Sequence, residues 1–311
     1  MCLTIVHQLV RFQLPPRLTT GARVALIAPA GPLRERSELE CAESNARLLG
    51  WIPVAGEHVL ARNGYLAGTD EQRLNDLNWA IRDLAIDAIW CVRGGYGVLR
   101  VLEGLDLASL RCTPKALIGF SDITALHAAV GTLGSVVSFH GPFPNRPLSE
   151  FSRSSLERAV STGKNPAGVA SEADVLVPGR ARGRLAGGNL ALLSALAGTP
   201  YFPRLEGAIL VLEDVNEPVY RIDRMLRHLR LTGALGLVAG LLFGAFTERG
   251  DEGETLPLAQ VLRETAEAVG VPCLAGVPVG HIADQWTLPL GAEAEMDAGS
   301  RLLTIDDSFA A

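Results

Sequence analysis

The chain has 311 residues, of which 48% are hydrophobic and 20% charged, and its formal net charge is −6. That length builds two ordinary domains or one large one, each with a real core. The acidic balance, without a basic stripe, excludes a nucleic-acid surface, and no apolar run approaches the ~18 residues of a membrane span.

The five cysteines, Cys2, Cys41, Cys91, Cys112 and Cys273, are odd in number, scattered, and free of any C-x-x-C pair. They predict neither a disulfide framework nor a zinc site, and a reducing, cytoplasmic setting fits them. No metal and no cofactor is expected. Residues 1–16 form an apolar arm that carries His7 and Arg11. Without a basic n-region or a small-residue cleavage site, the arm does not read as a signal peptide.

From Gly21 onward, apolar strands alternate with helical stretches, which predicts an α/β fold with a mostly parallel sheet. Residues 23–28 form a strand that breaks at Pro29-Ala30-Gly31-Pro32. A helix over 35–49 ends at Gly50. Thr69 and Asp70 are cap candidates for a helix over 70–84, with Leu74, Leu77 and Ile81 on one face. A buried strand over 87–92 leads into Arg93-Gly94-Gly95-Tyr96-Gly97 and a short helix to Glu103. Residues 116–119 are a strand, Ser121 follows in a tight turn, and a helix begins at once. A strand over 135–139 completes this half.

Residues 146–181, with Pro147, Pro166, Pro178 and one short helix near 154–161, read as a connection. Beyond it come a strand over 184–186, the turn Gly187-Gly188-Asn189 and a helix over 190–197. A strand over 208–212 ends at Glu213-Asp214, and a helix runs from about 218 to 231. Another strand (237–243), a helix (256–269) and a hairpin over 292–305 turning at Gly299-Ser300 follow.

Strand, tight turn with serine, then helix is the order in which an α/β hydrolase exposes a nucleophilic hydroxyl at a sheet's carboxyl edge. The second glycine of G-x-S-x-G is replaced by Ile123, so Ser121 needs partners elsewhere. A serine hydroxyl becomes a nucleophile only when an oriented base takes its proton. Of the six histidines, His127 and His228 fall mid-helix, His7 lies in the arm, and His58 has no supporting motif. His140 and His281, each just beyond an apolar run, both remain candidate bases. Glu213 and Asp214 are the candidate orienting acids, Asp214 doubling as a cap for the helix that follows. The glycine run 93–97 allows close backbone approach and points N–H groups at an anion. Its spacing is not that of a dinucleotide fingerprint. The ligand of such a run is a phosphate, a carboxylate or an oxyanion, and Arg93 and Gly94 in it, with Asn189 in the second glycine turn, are candidate substrate-binding residues.

Together, Val24-Ala25-Leu26-Ile27-Ala28-Pro29-Ala30-Gly31-Pro32, Arg93-Gly94-Gly95-Tyr96-Gly97, Gly119-Phe120-Ser121-Asp122, Gly187-Gly188-Asn189-Leu190, Leu212-Glu213-Asp214 with Tyr220-Arg221-Ile222-Asp223-Arg224, and Gly280-His281 resemble the LD-carboxypeptidase family of serine peptidases. That family includes murein LD-carboxypeptidases and microcin-immunity carboxypeptidases. The resemblance runs from about Pro16 to Thr304. It implies an N-terminal flavodoxin-like domain and a C-terminal β/α swivelling domain, here an arm (1–16), residues 17–145, a linker (146–181) and residues 182–311.

By the same resemblance Ser121 is the nucleophile, His281 rather than His140 the base, and Glu213 the orienting acid. The resemblance also implies an oxyanion hole made by backbone N–H groups near Gly95 and Asp122. The implied reaction removes a terminal D-Ala from a murein tetrapeptide during cell-wall recycling, and the family's tendency implies a homodimer. The arm exceeds the family's usual start. The segment between Asp214 and Gly280 is compact and poor in aromatics, which favours a murein peptidase over a microcin-type peptidase acting on peptidyl or aminoacyl adenylates. The reading from another class is a catalytically silent α/β module that binds a ligand at its glycine loops.

Overall fold

The computed structural model describes residues 12–248 and 256–306. The first half contains β1 (Arg23–Ile27), α1 (Arg36–Leu48), β2 (Ile52–Ala55), α2 (Asp70–Arg82), β3 (Ala88–Cys91), α3 (Leu107–Cys112), β4 (Ala116–Gly119), α4 (Thr124–Ala129) and β5 (Ser138–His140). Then α5 (Glu150–Glu157) and β6 (Asp174–Val177) lead to β7 (Arg180–Asn189), α6 (Leu190–Leu196), β8 (Ile209–Glu217), α7 (Val219–Leu231), β9 (Gly240–Glu248), α8 (Leu258–Val269) and β10 (Cys273–Ala275). Three short strands follow: β11 (Leu288–Leu290), β12 (Glu293–Asp297) and β13 (Leu302–Ile305).

The first sheet has the order β11-β5-β4-β3-β1-β2. From β2 to β5 every pairing is parallel, and the order 2-1-3-4-5 is that of flavodoxin-like sheets. Its central strands are buried on both faces, which is why they read as continuous apolar runs such as Val24–Ile27. Helix α2 starts in a reciprocal capping box: Thr69 Oγ1 accepts the Gln72 N–H, and Gln72 Oε1 accepts that of Thr69. The second sheet has the order β13-β12-β7-β8-β9-β10-β6, with β7 to β10 parallel and antiparallel strands at both edges. Its β8 is clamped by apolar faces of α6, α7 and α8 through Leu193, Ile222, Leu226 and Val261.

Several elements depart from the sequence expectation. Strand β5 begins at Ser138, because residues 136 and 137 pair with Gln13 at the end of the arm; residues 1–11 of the arm lie outside the described residues. The segment after Gly97 forms two 3-10 turns rather than one helix. Strand β7 extends over ten residues and takes Gly187-Gly188-Asn189 into the sheet, in register with Val211, Leu212 and Glu213. The connecting segment contributes β6 to the second sheet. Strand β11, from the C-terminal part, adds antiparallel to β5 at the edge of the first. The two halves therefore exchange backbone pairing instead of merely abutting.

Candidate active site

Strand β4 ends at Gly119, and Ser121 opens a 3-10 turn that runs into α4. Ser121 sits at φ +61°, left-handed backbone that a non-glycine residue adopts at a cost of about 1–2 kcal/mol. Such a sharp reversal lifts Oγ off the sheet edge. Gly94 packs against it, where a Cβ would fall 2.9 Å from Ser121 Cβ and 3.1 Å from Oγ. Only glycine lets the loop after β3 approach the hydroxyl this closely.

His281 lies 3.1 Å from Ser121 Oγ through Nε2, and 2.8 Å from Glu213 Oε2 through Nδ1. With Glu213 ionised, Nδ1–H donates to the carboxylate, and Nε2 is left to accept the serine proton. Phe120 holds the imidazole edge-on, with ring centroids 4.7 Å apart, and stacks at 4.4 Å on Phe143. Glu213 is fully buried. It lies where the register of β8 with β9 shifts between Leu212 and Asp214, a bulge that re-aims a side chain. Gly280, at φ +111°, passes so close that a Cβ there would meet Glu213 Oε2 at 2.6 Å.

The glycine loop is held from beneath. Arg73, on α2, is 1% exposed and donates through Nη1 to the carbonyls of Pro29 and Gly97, at 2.5 and 2.9 Å. Asp122 Oδ2 accepts the Val98 N–H at 2.8 Å, tying the serine turn to the same loop. The backbone N–H of Asp122 lies in the opening turn of a helix, where intrahelical acceptors are missing. Gly95 lies in the facing loop. Burial pushes the Asp122 carboxyl up to about 6, against a downward pull from the Val98 N–H and the Arg73 charge.

Because that value is raised, folded Asp122 keeps its proton where the unfolded chain has lost it. The stability this contributes is complete below about 3.9, the ordinary value, and is lost as pH rises through 6. Asp122→Asn keeps an acceptor for Val98 and removes the ionisation. Its thermal melt should fall less between pH 4 and 6.5 than that of the wild type. Equal slopes in the two proteins would show that the carboxyl titrates normally.

The other candidates resolve differently. His140 is 1% exposed in β5, its pKa is driven well below the ordinary value by burial, and neither ring nitrogen has a hydrogen-bond partner among the described residues. It packs tilted against Phe120 and is not in the hydrogen-bonded row. His127, mid-helix in α4, is buried, with Nε2 2.8 Å from the Gly119 carbonyl and Nδ1 2.9 Å from Ser138 Oγ. Burial pushes it down to about 4, so it stays neutral and pins the end of β4 beside Ser121.

Asp214 caps α6 rather than α7. It accepts from Ala191 N at 3.0 Å, from Asn189 Nδ2 and from Val215 N. Burial pushes it up to about 6, chiefly against these donors. Asn189, a substrate-binding candidate from sequence, is 3% exposed. Its amide is spent on Asp214 and on the Leu192 N–H, as the N-cap of α6, and its own N–H donates to Thr124 Oγ1 across the two halves. That role is structural. Arg93 remains at the cleft beside Gly95, with Nη1 donating to the Pro32 carbonyl at 2.6 Å.

Arg73 was not singled out from sequence, although an arginine in register with Leu77 and Ile81 on an apolar helix face is a readable signal. Phe143 and Thr124 carry no such signal. Among the described residues, no group of three or more His, Cys, Asp or Glu side chains could hold a metal. No helix among them is long and apolar enough to cross a membrane.

Comparison with known proteins agrees with this architecture. Residues 24–141 match the LD-carboxypeptidase N-terminal domain, and residues 182–296 the LD-carboxypeptidase C-terminal domain. A putative carboxypeptidase of Streptomyces coelicolor is 41% identical, over 97% of each chain. The murein tetrapeptide carboxypeptidase of Pseudomonas aeruginosa is 38% identical, over 90% of this chain and 94% of its own. The Microcin C7 self immunity protein, at 21% identity, shares the fold with a TM-score of 0.88, over 96% of this chain and 99% of that one. With both halves matched in order and whole-length relatives above 30% identity, the chain belongs to the LD-carboxypeptidase family of serine peptidases.

Proposed function

We propose that the chain is a serine carboxypeptidase that hydrolyses the amide between an L-centre and a terminal D-amino acid, releasing D-Ala from a murein tetrapeptide. The observation that carries this reading is the unbroken row Ser121 Oγ, His281, Glu213, set on left-handed backbone at a sheet edge. Ser121 Oγ attacks the scissile carbonyl carbon while Nε2 of His281 takes its proton. Glu213 holds the imidazole in the required tautomer and offsets its positive charge. The oxygen of the tetrahedral adduct faces the N–H groups of Gly95 and Asp122. Collapse breaks the C–N bond, the proton on His281 goes to the leaving amine, and an ester to Ser121 remains. Water, deprotonated by His281, then cleaves that ester.

The substrate reading is supported by the name of the Pseudomonas relative. A cytoplasmic location and a homodimer belong to the same reading. Incubation with the tetrapeptide should yield tripeptide and free D-Ala by mass spectrometry. Turnover of a peptidyl-adenylate analogue in preference to the tetrapeptide would overturn the assignment.

A further inference from the structure

His281 opens the segment 281–287, which forms neither helix nor strand before β11 begins at Leu288. The backbone N–H and C=O groups of such a stretch need partners from elsewhere in the fold. The neck of this loop closes where the Trp286 N–H donates to the Pro278 carbonyl at 2.7 Å. The next partners come from α5, the helix of the connecting segment.

Ser149, Ser152 and Ser155 recur at every third position, so their hydroxyls follow one side of α5. Ser152 Oγ donates to the Ala283 carbonyl at 2.8 Å and accepts the Gln285 N–H at 2.9 Å. Ser155 Oγ accepts the Thr287 N–H at 2.8 Å and donates to the Pro166 carbonyl at 2.7 Å. Ser149 Oγ caps α5 by accepting the Ser152 N–H at 3.2 Å, and donates to the same Ala283 carbonyl at 3.3 Å. Together the three hydroxyls grip alternate residues of the segment that carries the base. Ser152 and Ser155 are 1% and 0% exposed. Serine is a poor residue inside a helix, and here its hydroxyl is spent on another chain segment rather than on its own helix.

Helix α5 is itself fixed to the half that bears Ser121. Ahead of it, Asn45 Nδ2 on α1 donates to the carbonyls of Pro144 and Arg146, at 2.8 and 2.7 Å. Behind it, the Val160 carbonyl accepts the Leu18 N–H at 2.8 Å, on the approach to β1. Between them, Leu156 is buried in the same core cluster as Leu18, Val24 and Leu26. His281 therefore has two anchors. Glu213 holds its Nδ1 from β8, in the second half. The serines of α5 hold its backbone from the first half, where Ser121 Oγ waits 3.1 Å from Nε2.

We propose that Ser152, supported by Ser149 and Ser155, is a positioning residue that registers the general base against the nucleophile across the seam between the two halves. This rests on the carboxypeptidase reading of the triad. It adds a part that acts only through the backbone of the His281 segment.

The test is steady-state kinetics on the murein tetrapeptide, well below the melting temperature of every variant. Ser152→Ala removes a donor and an acceptor at once, and kcat should fall about ten- to a hundred-fold, the scale of a slightly misplaced catalytic group. KM should stay within about twofold, because the base contributes in the transition state and not to ground-state binding. Ser155→Ala loses as many hydrogen bonds but grips the segment next to β11. It should melt about as low as Ser152→Ala while losing less kcat. Ser149→Asp keeps the cap acceptor and puts an acid in a favourable place at the helix start, so it should melt at or above the wild type. Its carboxylate repels the Ala283 carbonyl instead of donating to it, and kcat should still fall severalfold. Values of kcat that simply follow the melting temperatures would overturn the proposal, as would a Ser152→Ala enzyme within about twofold of wild-type kcat. Should Ser152→Ala fail to fold, Ser149→Asp decides alone, unchanged kcat counting against the proposal.

Failure of the wild type to release D-Ala from the tetrapeptide would instead remove the carboxypeptidase reading. Hydrogen exchange then still decides the positioning. In Ser152→Ala the amides of 281–287 should exchange about tenfold faster, with β4 and the Ser121 turn unchanged. Equal exchange in the two proteins, or faster exchange everywhere alike, would overturn it.

Discussion

Ser121→Ala is expected to lower kcat/KM by about 10⁴-fold or more, with a melting temperature close to that of the wild type. The hydroxyl's one side-chain hydrogen bond among the described residues is with His281, so removing it takes little from the core. A companion variant makes the backbone argument testable. At φ +61° alanine keeps the left-handed cost that serine carries, whereas glycine escapes it. Glycine also gives the unfolded chain more freedom, which offsets part of the gain. The remainder, roughly 0.5–1 kcal/mol, should place Ser121→Gly about 1–3 °C above Ser121→Ala in a chain of this size. Both variants should be equally inactive. Wild-type turnover by Ser121→Ala would remove this residue as nucleophile. A glycine variant that melts below the alanine one would show that the turn carries no strain.

The site is divided between two kinds of information. Ser121 was legible because its cue is local: an apolar strand, a glycine, a serine and the start of a helix within eight residues. Glu213 and His281 were legible as polar groups at the edges of apolar runs, and the family resemblance chose His281 over His140. Their coincidence with the hydrogen-bonded row rests on long-range placement that no local pattern encodes. Strand β11 shows why. Its three residues pair with β5 across about 150 positions of sequence, too short for periodicity to register. The same holds for β6, whose four residues sit between loops.

Side-chain direction was the other blind spot. Asp214 precedes α7 in sequence, yet its carboxylate reaches back to α6, because β8 lies beside β7 and both feed helices at the same sheet edge. Asn189 looked available in a glycine turn until β7 drew that turn into the sheet. Arg73 went unread because its partners, the carbonyls of Pro29 and Gly97, belong to two loops that meet only in the folded chain.

The second large effect is expected at Glu213. Glu213→Gln preserves volume and shape, and Oε1 of the glutamate has no hydrogen-bond partner among the described residues to lose. The amide still offers an oxygen to His281 Nδ1, but it brings an N–H₂ into a fully buried position without any acceptor identified for it. Two responses compete. The amide oxygen faces the ring, leaving an unsatisfied buried donor at about 1–3 kcal/mol. Alternatively the N–H₂ faces Nδ1, which forces the proton onto Nε2 and leaves Ser121 without a base. The second response satisfies more hydrogen bonds and should win. kcat should then fall about 10⁴-fold, as when the acid of other serine triads is made an amide.

The tautomer is the readout that separates this account from simple misfolding. In ¹⁵N spectra of the imidazole near neutral pH, the wild type should carry its proton on Nδ1 and the variant on Nε2. Gly280→Ala approaches the same residue from outside, because its Cβ would press on Glu213 Oε2 from 2.6 Å. It should lower kcat with every chemical group still present. A Glu213→Gln enzyme with unchanged kcat and the proton still on Nδ1 would mean that the carboxylate's charge and acceptor geometry contribute nothing to the base, and the triad would reduce to Ser121 and His281.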